Sequence, residues 1–457
     1  MYDVTVIGGG SGGYAAAIRA SQLGGKVALV EGAEMGGTCV NRGCIPTKVW
    51  SRAASVLRSI RTADVFGIRA SVQDVDLSVI VERKNGVSGE IRMGMEALLA
   101  NNGVQVLKGR GVLRSPGEVD VDGKTVETRA VIVASGSRLD FPDIPNIGDA
   151  AITTDQVLEM TGIPSSVLIW GKAGPIELEM ATLLNVFGSK VHLATEGPRI
   201  LPREDHETSQ RIAQALKQQA VEVLPRTTLQ SVQRSQGGWA CLLGGAKEQT
   251  VTVEKVLVAA RRPSTDQMGL EQVGVRMGEG GGIEVDEKLA SSVAGVYAIG
   301  DATGGWMLSH AASSMAVTAA ENAMGRSNTF PFRLIPRGIW TYPEVGAVGL
   351  SEQEAEGRGI EVEVGVFPMA INGLAMCRND VAGAVKIVSD AQYGEILGVH
   401  IVGVHATELV GEAVMAMQLE CTADELAHSI RVHPTFSETV VDASRDAEKW
   451  ALYLPKR

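Results

Sequence analysis

A chain of 457 residues exceeds one ordinary core and implies about three or four domains of roughly 100–150 residues each. Its 54 glycines and 4% aromatics favour glycine-turned α/β units over a sandwich, and its net charge of -11 argues against nucleic acid as a partner. No apolar run reaches the roughly 18–20 residues that span a bilayer. Met1-Tyr2-Asp3 leads straight into an apolar strand without a secretory pattern, so the expectation is a cytoplasmic protein without membrane insertion.

The first predicted unit is a strand over Tyr2 to Ile7, a glycine loop over Gly8 to Gly13, a helix over Tyr14 to Leu23 and a strand over Lys26 to Val30. Its turn reads Gly8-x-Gly10-x-x-Gly13. The first glycine permits the tight turn, the second lets backbone approach a pyrophosphate, and the third lets helix and strand pack closely. Glu31, at the end of the second strand, is placed to accept hydrogen bonds from an adenosine ribose.

Directly downstream lies Gly36-Gly37-Thr38-Cys39-Val40-Asn41-Arg42-Gly43-Cys44-Ile45-Pro46-Thr47-Lys48. A thiol pair delivered to the end of a bound dinucleotide points to a redox-active disulfide beside a flavin. The alternatives are two small buried hydrophobes or half of a zinc site. Zinc needs four ligands, no second pair or histidine cluster accompanies this one, and no metal is expected. The other cysteines, 241, 377 and 421, are too few and scattered for a disulfide scaffold.

Helices are predicted over Val49 to Arg61 and Leu77 to Asn101, the latter with apolar residues on one face, then strands near Val104–Leu107, Val119–Val121 and Ala130–Ala134. Prolines 142, 145 and 164 with Gly148 and Gly162 mark a boundary. A second βαβ unit follows: strand Ser166 to Trp170, loop Gly171-Lys172-Ala173-Gly174-Pro175, helix Ile176 to Phe187, strand Lys190 to Ala194, then Thr195-Glu196. This repeat implies two dinucleotide sites. Near Gly295 a buried strand ends at Asp301, an acid able to reach the hydroxyls of a ribityl chain. From Pro331 strands alternate with an amphipathic helix over Thr407 to Leu419, before His433-Pro434-Thr435-Phe436-Ser437-Glu438. The expected class is α/β, with two Rossmann-like dinucleotide-binding domains and an α+β C-terminal domain, divided at 1–145, 146–263, 264–332 and 333–457.

The ordered series Gly8 loop, Gly36 to Lys48, Ala134 to Ser137, Arg261-Arg262-Pro263, Gly295 to Asp301, Tyr342-Pro343-Glu344-Val345, Gly403 to Glu408 and His433 to Glu438 resembles the class I pyridine-nucleotide disulfide oxidoreductases. Within them it looks most like the branch oxidising dihydrolipoamide; a mercuric-reductase-like chain would carry a C-terminal cysteine pair, which is missing here. The resemblance implies a homodimer with FAD and NAD, acting on lipoamide or a lipoyl-bearing protein, in which 1–145 is the FAD domain with the redox pair, 146–263 an NAD-like domain, 264–332 a central domain completing the FAD site and 333–457 the dimerisation domain. Gly8, Gly10, Gly13, Glu31, Thr38, Lys48, Gly111, Ser135, Gly136 and Asp301 would hold FAD. Cys39 would be the outer sulfur that meets substrate and Cys44 the inner one facing the flavin. His433 of the partner chain would act as base, oriented by Glu438. Lys48 would lie near flavin N5, paired with Glu179 or, alternatively, Glu177.

The second loop departs from this pattern. Aligned on Leu178-Glu179-Met180, the first and third glycines become Lys172 and Glu177; aligned on Gly171, the second and third become Ala173 and Ile176. Glu177 would place negative charge near a pyrophosphate, opposing an anion-favouring helix terminus. The expected ribose-binding glutamate falls on Thr195 with Glu196 beside it, and Ala260 replaces the glycine before Arg261. An NAD site built on Gly171, Gly174, Glu196 and Ala260 is therefore expected to be weakened or altered, or else ordinary, with Glu196 on the ribose and Lys172 on phosphate. Three functions follow: dihydrolipoamide oxidation with NAD as acceptor, the same chemistry with another acceptor or disulfide, or a non-catalytic flavoprotein subunit, against which the intact Cys39, Cys44, His433 and Glu438 count.

Overall fold

A computed structural model describes residues 1–245 and 247–456. They form two units: Met1–Pro142 with Ile152–Gly162 and Val258–Pro331, and Asp143–Ala151 with Ile163–Leu257 and Phe332–Arg457.

In the first unit parallel strands run in the order Gln105–Lys108, Val27–Glu31, Tyr2–Ile7, Lys124–Val133 and Val296–Ala298. Lys124–Val133 serves two sheets at once, because its first half closes an antiparallel meander with Gly111–Ser115 and Glu118–Val121. Ile7, Val30, Leu113, Val131, Ile283 and Val296 share one apolar core. Helix Ser11–Gln22 starts three residues earlier than the sequence suggests, so that Gly12 and Gly13 lie inside it. A Cβ on Gly13 would stand 1.8 Å from the carbonyl oxygen of Gly8, so only glycine allows this helix to lie so close to its strand.

Two expectations are corrected here. The helix foreseen from Val49 spans Cys44–Arg61, with Pro46 inside its first turn. Proline is tolerated there because first-turn N–H groups have no intrahelical acceptor to lose. The helix Leu77–Asn101 buries Leu77, Lys84, Ser88 and Leu99, while Val79, Met93 and Leu98 stay exposed. Its inner face is thus partly polar, anchored by an ion pair from Lys84 to Glu159.

In the second unit strands Glu222–Pro225, Lys190–Thr195, Ser166–Gly171 and Lys255–Val258 form a parallel sheet beside an antiparallel one of Thr227–Ser235, Gly238–Gly245 and Gln249–Val253. The C-terminal sheet orders Arg337–Ile339, Glu344–Gly349, Ile396–Gly403, Ala384–Asp390 and Val362–Pro368, and helices Ala406–Gln418 and Glu438–Ala447 contribute to its core. A buried charge network links this sheet to the segment before helix His206–Gln218. Arg337 Nε donates to both oxygens of Glu204 at 3.0 Å, and Lys386 Nζ donates to both of Asp205 at 3.1 Å and to Glu352. Such pairs cost desolvation energy, but removing one partner strands a buried charge.

His400 sits beside this network, 2% exposed, with Nε2 2.9 Å from the Leu350 carbonyl. Burial, then the Arg337 guanidinium, push its imidazole down to about 4 from 6.5. The unfolded chain therefore binds a proton that the native ring refuses, so stability is complete above pH 6.5 and is lost as pH falls toward 4. Denaturation midpoints measured across this window should decline for the wild type, with about 3 kcal/mol from this group at the acid end. His400→Gln keeps a donor for Leu350 without titrating and should flatten the decline; equal slopes in both proteins would contradict this account.

Candidate active site

The cysteine segment hangs on the first nucleotide loop. Gly36 N–H donates to the Gly9 carbonyl at 2.9 Å, and a Cβ on Gly37 would stand 2.9 Å from Gly10 Cα. Two residues later the short helix Gly37–Asn41 presents Cys39, half-buried, while Cys44 opens helix Cys44–Arg61 and is exposed. Both are thiols here. The hydrogen bond with Cys44 is the main influence lowering the Cys39 thiol to about 6, opposed by burial and assisted by the Ser309 and Ser11 hydroxyls and the Lys48 ammonium. Ser309 Oγ donates to Ser11 Oγ at 2.7 Å, so the two hydroxyls form one local pair. By contrast burial raises the Cys241 thiol to about 11 and leaves it inert.

Around the same loop lie the other residues assigned to FAD. Gly8 closes the first strand with its N–H on the Val30 carbonyl at 2.8 Å, and Glu31 accepts from Gly9 N–H at 2.6 Å and Ala33 N–H at 2.7 Å. Gly111 is buried at the start of its strand, and the Gly136 carbonyl accepts from Ser264 N–H at 2.9 Å. Ser137 Oγ donates to Asp301 at 2.6 Å and accepts from Arg261 Nε at 3.0 Å; Arg261 Nη2 reaches Thr38 Oγ1 at 3.3 Å. Burial raises the Asp301 carboxyl above its ordinary range, against the Ser137 hydroxyl and the Arg261 guanidinium. Ser135 Oγ is buried and has no partner among the described residues. A glycine cradle, an acid at the second strand's end and a buried hydroxyl left to bond something else fit a dinucleotide cofactor. Ser11, Ser137, Ser309 and Arg261 were not assigned roles from the sequence: Ser137 and Arg261 fall inside motif segments, whereas nothing in the pattern ties Ser309 to Cys39.

The second unit carries the remaining candidates. Glu438, at the start of helix Glu438–Ala447, receives His433 Nδ1 at 2.8 Å on one oxygen and Thr435 N–H at 2.7 Å on the other. The acid is thereby held at both oxygens, and the imidazole is oriented through Nδ1. The His433 side chain is 77% exposed. Glu179 Oε1 accepts from Trp340 N–H at 3.2 Å. Thr195 is buried and pairs with Gly171 across the parallel ladder, whereas Glu196 is exposed. The Ala260 carbonyl, in the first unit, accepts from Asp140 N–H at 2.8 Å. No described helix is long and apolar enough to cross a membrane, and no described group of three or more His, Cys, Asp or Glu could hold a metal ion.

A doubly wound nucleotide fold with a cysteine pair on its first loop defines a dithiol-disulfide redox protein. Residues 2–316 match the profile of the pyridine nucleotide-disulphide oxidoreductases, and residues 335–444 match that family's dimerisation domain. The chain belongs to this family. It is 38% identical over 462 residues to a dihydrolipoyl dehydrogenase of Thermus scotoductus, covering 100% of this chain and 99% of that protein. A Bacillus subtilis dihydrolipoyl dehydrogenase is 35% identical over 481 residues, with 99% of each covered. The crystal structure of LpdA from Mycobacterium tuberculosis superposes with a TM-score of 0.87 at 25% identity, covering 97% of this chain and 99% of that one.

The lowered Cys39 thiol gives a direct test. In reduced enzyme the rate of Cys39 alkylation by iodoacetamide should rise with pH through a midpoint near 6. Ser309→Ala and Ser11→Ala should each move that midpoint upward. A midpoint of about 8.5 in the wild type, the value of an ordinary thiol, would refute the environment described.

Proposed function

We propose that the chain is a homodimeric enzyme that oxidises dihydrolipoamide, free or on a lipoyl-bearing protein, through the Cys39–Cys44 disulfide and FAD, with NAD+ as acceptor. The observation that carries this reading is the Cys39 thiol, lowered to about 6 and held with Cys44 against a dinucleotide-type loop. Near-complete coverage by dihydrolipoyl dehydrogenases supports the substrate.

A dithiol must lose a proton before it can attack a disulfide. His433 Nε2 takes that proton, while Glu438 stabilises the resulting imidazolium through Nδ1–H. The substrate thiolate bonds to Cys39 Sγ and the Cys39–Cys44 bond breaks, leaving Cys44 as thiolate. The second substrate thiol then displaces Cys39, releasing a cyclic disulfide and leaving the pair reduced. FAD would supply the two-electron acceptor for the reduced pair, in relay to the nicotinamide. Gly8, Gly10, Gly13, Glu31, Thr38, Lys48, Gly111, Ser135, Gly136 and Asp301 would hold FAD, with the Lys48 ammonium near its reactive ring.

His433 serves the partner's disulfide in this reading. Its neighbour Val432 is 76% exposed and Ile430 is 94% exposed. A dimer contact that covers these apolar side chains carries the imidazole into the interface. The division at 1–145, 146–263, 264–332 and 333–457 and a cytoplasmic location belong to the same proposal. A second reading, the same dithiol chemistry with altered NAD use or another acceptor, is favoured by one feature, the buried Glu177 in the second loop.

Dihydrolipoamide-dependent NADH formation tests the assignment. Cys39→Ser should abolish it, and His433→Gln should lower kcat by about 100-fold or more, the range of a lost general base. Full turnover in His433→Gln would contradict the role given to the imidazole.

A further inference from the structure

The second nucleotide loop runs into a helix whose first turn carries a buried acid. Strand Ser166–Gly171 leads through Lys172, Ala173 and Gly174 into the helix Pro175–Val186, 12 residues long. Gly174 caps this helix and Glu177 is its third residue, the position from which a glutamate folds back over the first turn. The backbone N–H groups of Glu177 itself, Gly174 and Lys172 favour the charged form of the Glu177 carboxyl. Its Oε1 lies 2.9 Å from where a Cβ on Gly171 would stand, and Oε2 lies 3.4 Å from that of Gly174. The residue is 7% exposed, and burial raises its carboxyl above the ordinary range, with Lys172 the cation that opposes this.

These N–H groups are the donors that a dinucleotide pyrophosphate uses at a helix N-terminus. A capping glutamate on a surface could swing aside, but this one is enclosed. Above it Ala173 is fully buried in a left-handed conformation, φ +48°, and its carbonyl accepts from Leu201 N–H at 2.9 Å. In the first fold the same place in the motif belongs to Gly13, which offers no side chain to occupy the cradle.

We propose that the Glu177 carboxylate is a built-in occupant of the pyrophosphate cradle in the second nucleotide fold, so that a nicotinamide dinucleotide binds there only by displacing it. Glu177 then sets the affinity for the acceptor. This rests on the reading that the chain hands electrons to NAD+, and it adds that one side chain of the chain competes for the acceptor's place.

Calorimetric titration of oxidised holoenzyme with NAD+ tests it. Glu177→Gly should tighten binding by about tenfold, equivalent to about 1.4 kcal/mol. Glu177→Gln, which keeps the bulk and removes the charge, should tighten it less. Unchanged or weaker NAD+ binding in both variants would overturn the proposal. If Glu177→Gly does not retain flavin, Glu177→Gln decides alone: tighter binding supports the proposal and unchanged binding overturns it. Bleaching of the wild-type flavin by dihydrolipoamide, measured without NAD+, reports separately on the proposed function. Its failure would sink that function and leave the binding result standing.

Discussion

The close approach of two backbones at the first glycine loop is the constraint on which the site depends. Gly13 sets helix Ser11–Gln22 down on its strand, and Gly10 and Gly37 then come near enough that a Cβ on Gly37 would lie 2.9 Å from Gly10 Cα. That contact fixes where the cysteine segment begins. Cys39 follows two residues later, beside Ser11, the first residue of the same helix. The loop thereby also places Cys39, and the Ser11 hydroxyl, together with that of Ser309 at the start of helix Ser309–Ala323, helps hold its sulfur as a thiolate. A side chain at Gly13 or Gly37 would meet the backbone of Gly8 or Gly10 and force the loop apart.

The two nucleotide folds use the same backbone plan with opposite side-chain solutions. In the first, glycine clears the cradle, Glu31 closes the second strand, and a buried Ser135 hydroxyl is left to bond something beyond the described residues. In the second, an acid fills the helix terminus and a buried threonine, Thr195, ends the corresponding strand. This second fold also shares its unit with the dimerisation domain through Arg337–Glu204 and Lys386–Asp205, charges buried deeply enough that neither can be lost alone without stranding the other.

Much of this was legible in the sequence because the signals are local. Short apolar strands, glycine spacing and the five-residue step from Cys39 to Cys44 place both βαβ units and the thiol pair within a few residues. The pairing of His433 with Glu438 was legible for the same reason, since five residues separate them. Long-range partners were not. Ser309 meets Ser11 from 298 positions away, and Arg261 reaches Thr38 across 223. No local pattern encodes such contacts, because folding creates them. The helix starting at Cys44 was missed for a different reason: Pro46 reads as a breaker unless it is known to stand in a first turn. Glu177 was legible as an anomaly, but only the structure shows its carboxylate turned inward onto the loop's own N–H groups.

Anaerobic stopped-flow absorbance of oxidised holoenzyme mixed with dihydrolipoamide, with no nicotinamide present, tests the central claim most directly. Exchange at Cys39 should leave Cys44 as a thiolate against oxidised flavin, giving a long-wavelength band that forms in the wild type and is missing in Cys44→Ser. An enzyme whose flavin spectrum stays unchanged after mixing would contradict the claim that these two cysteines join the dithiol to the cofactor.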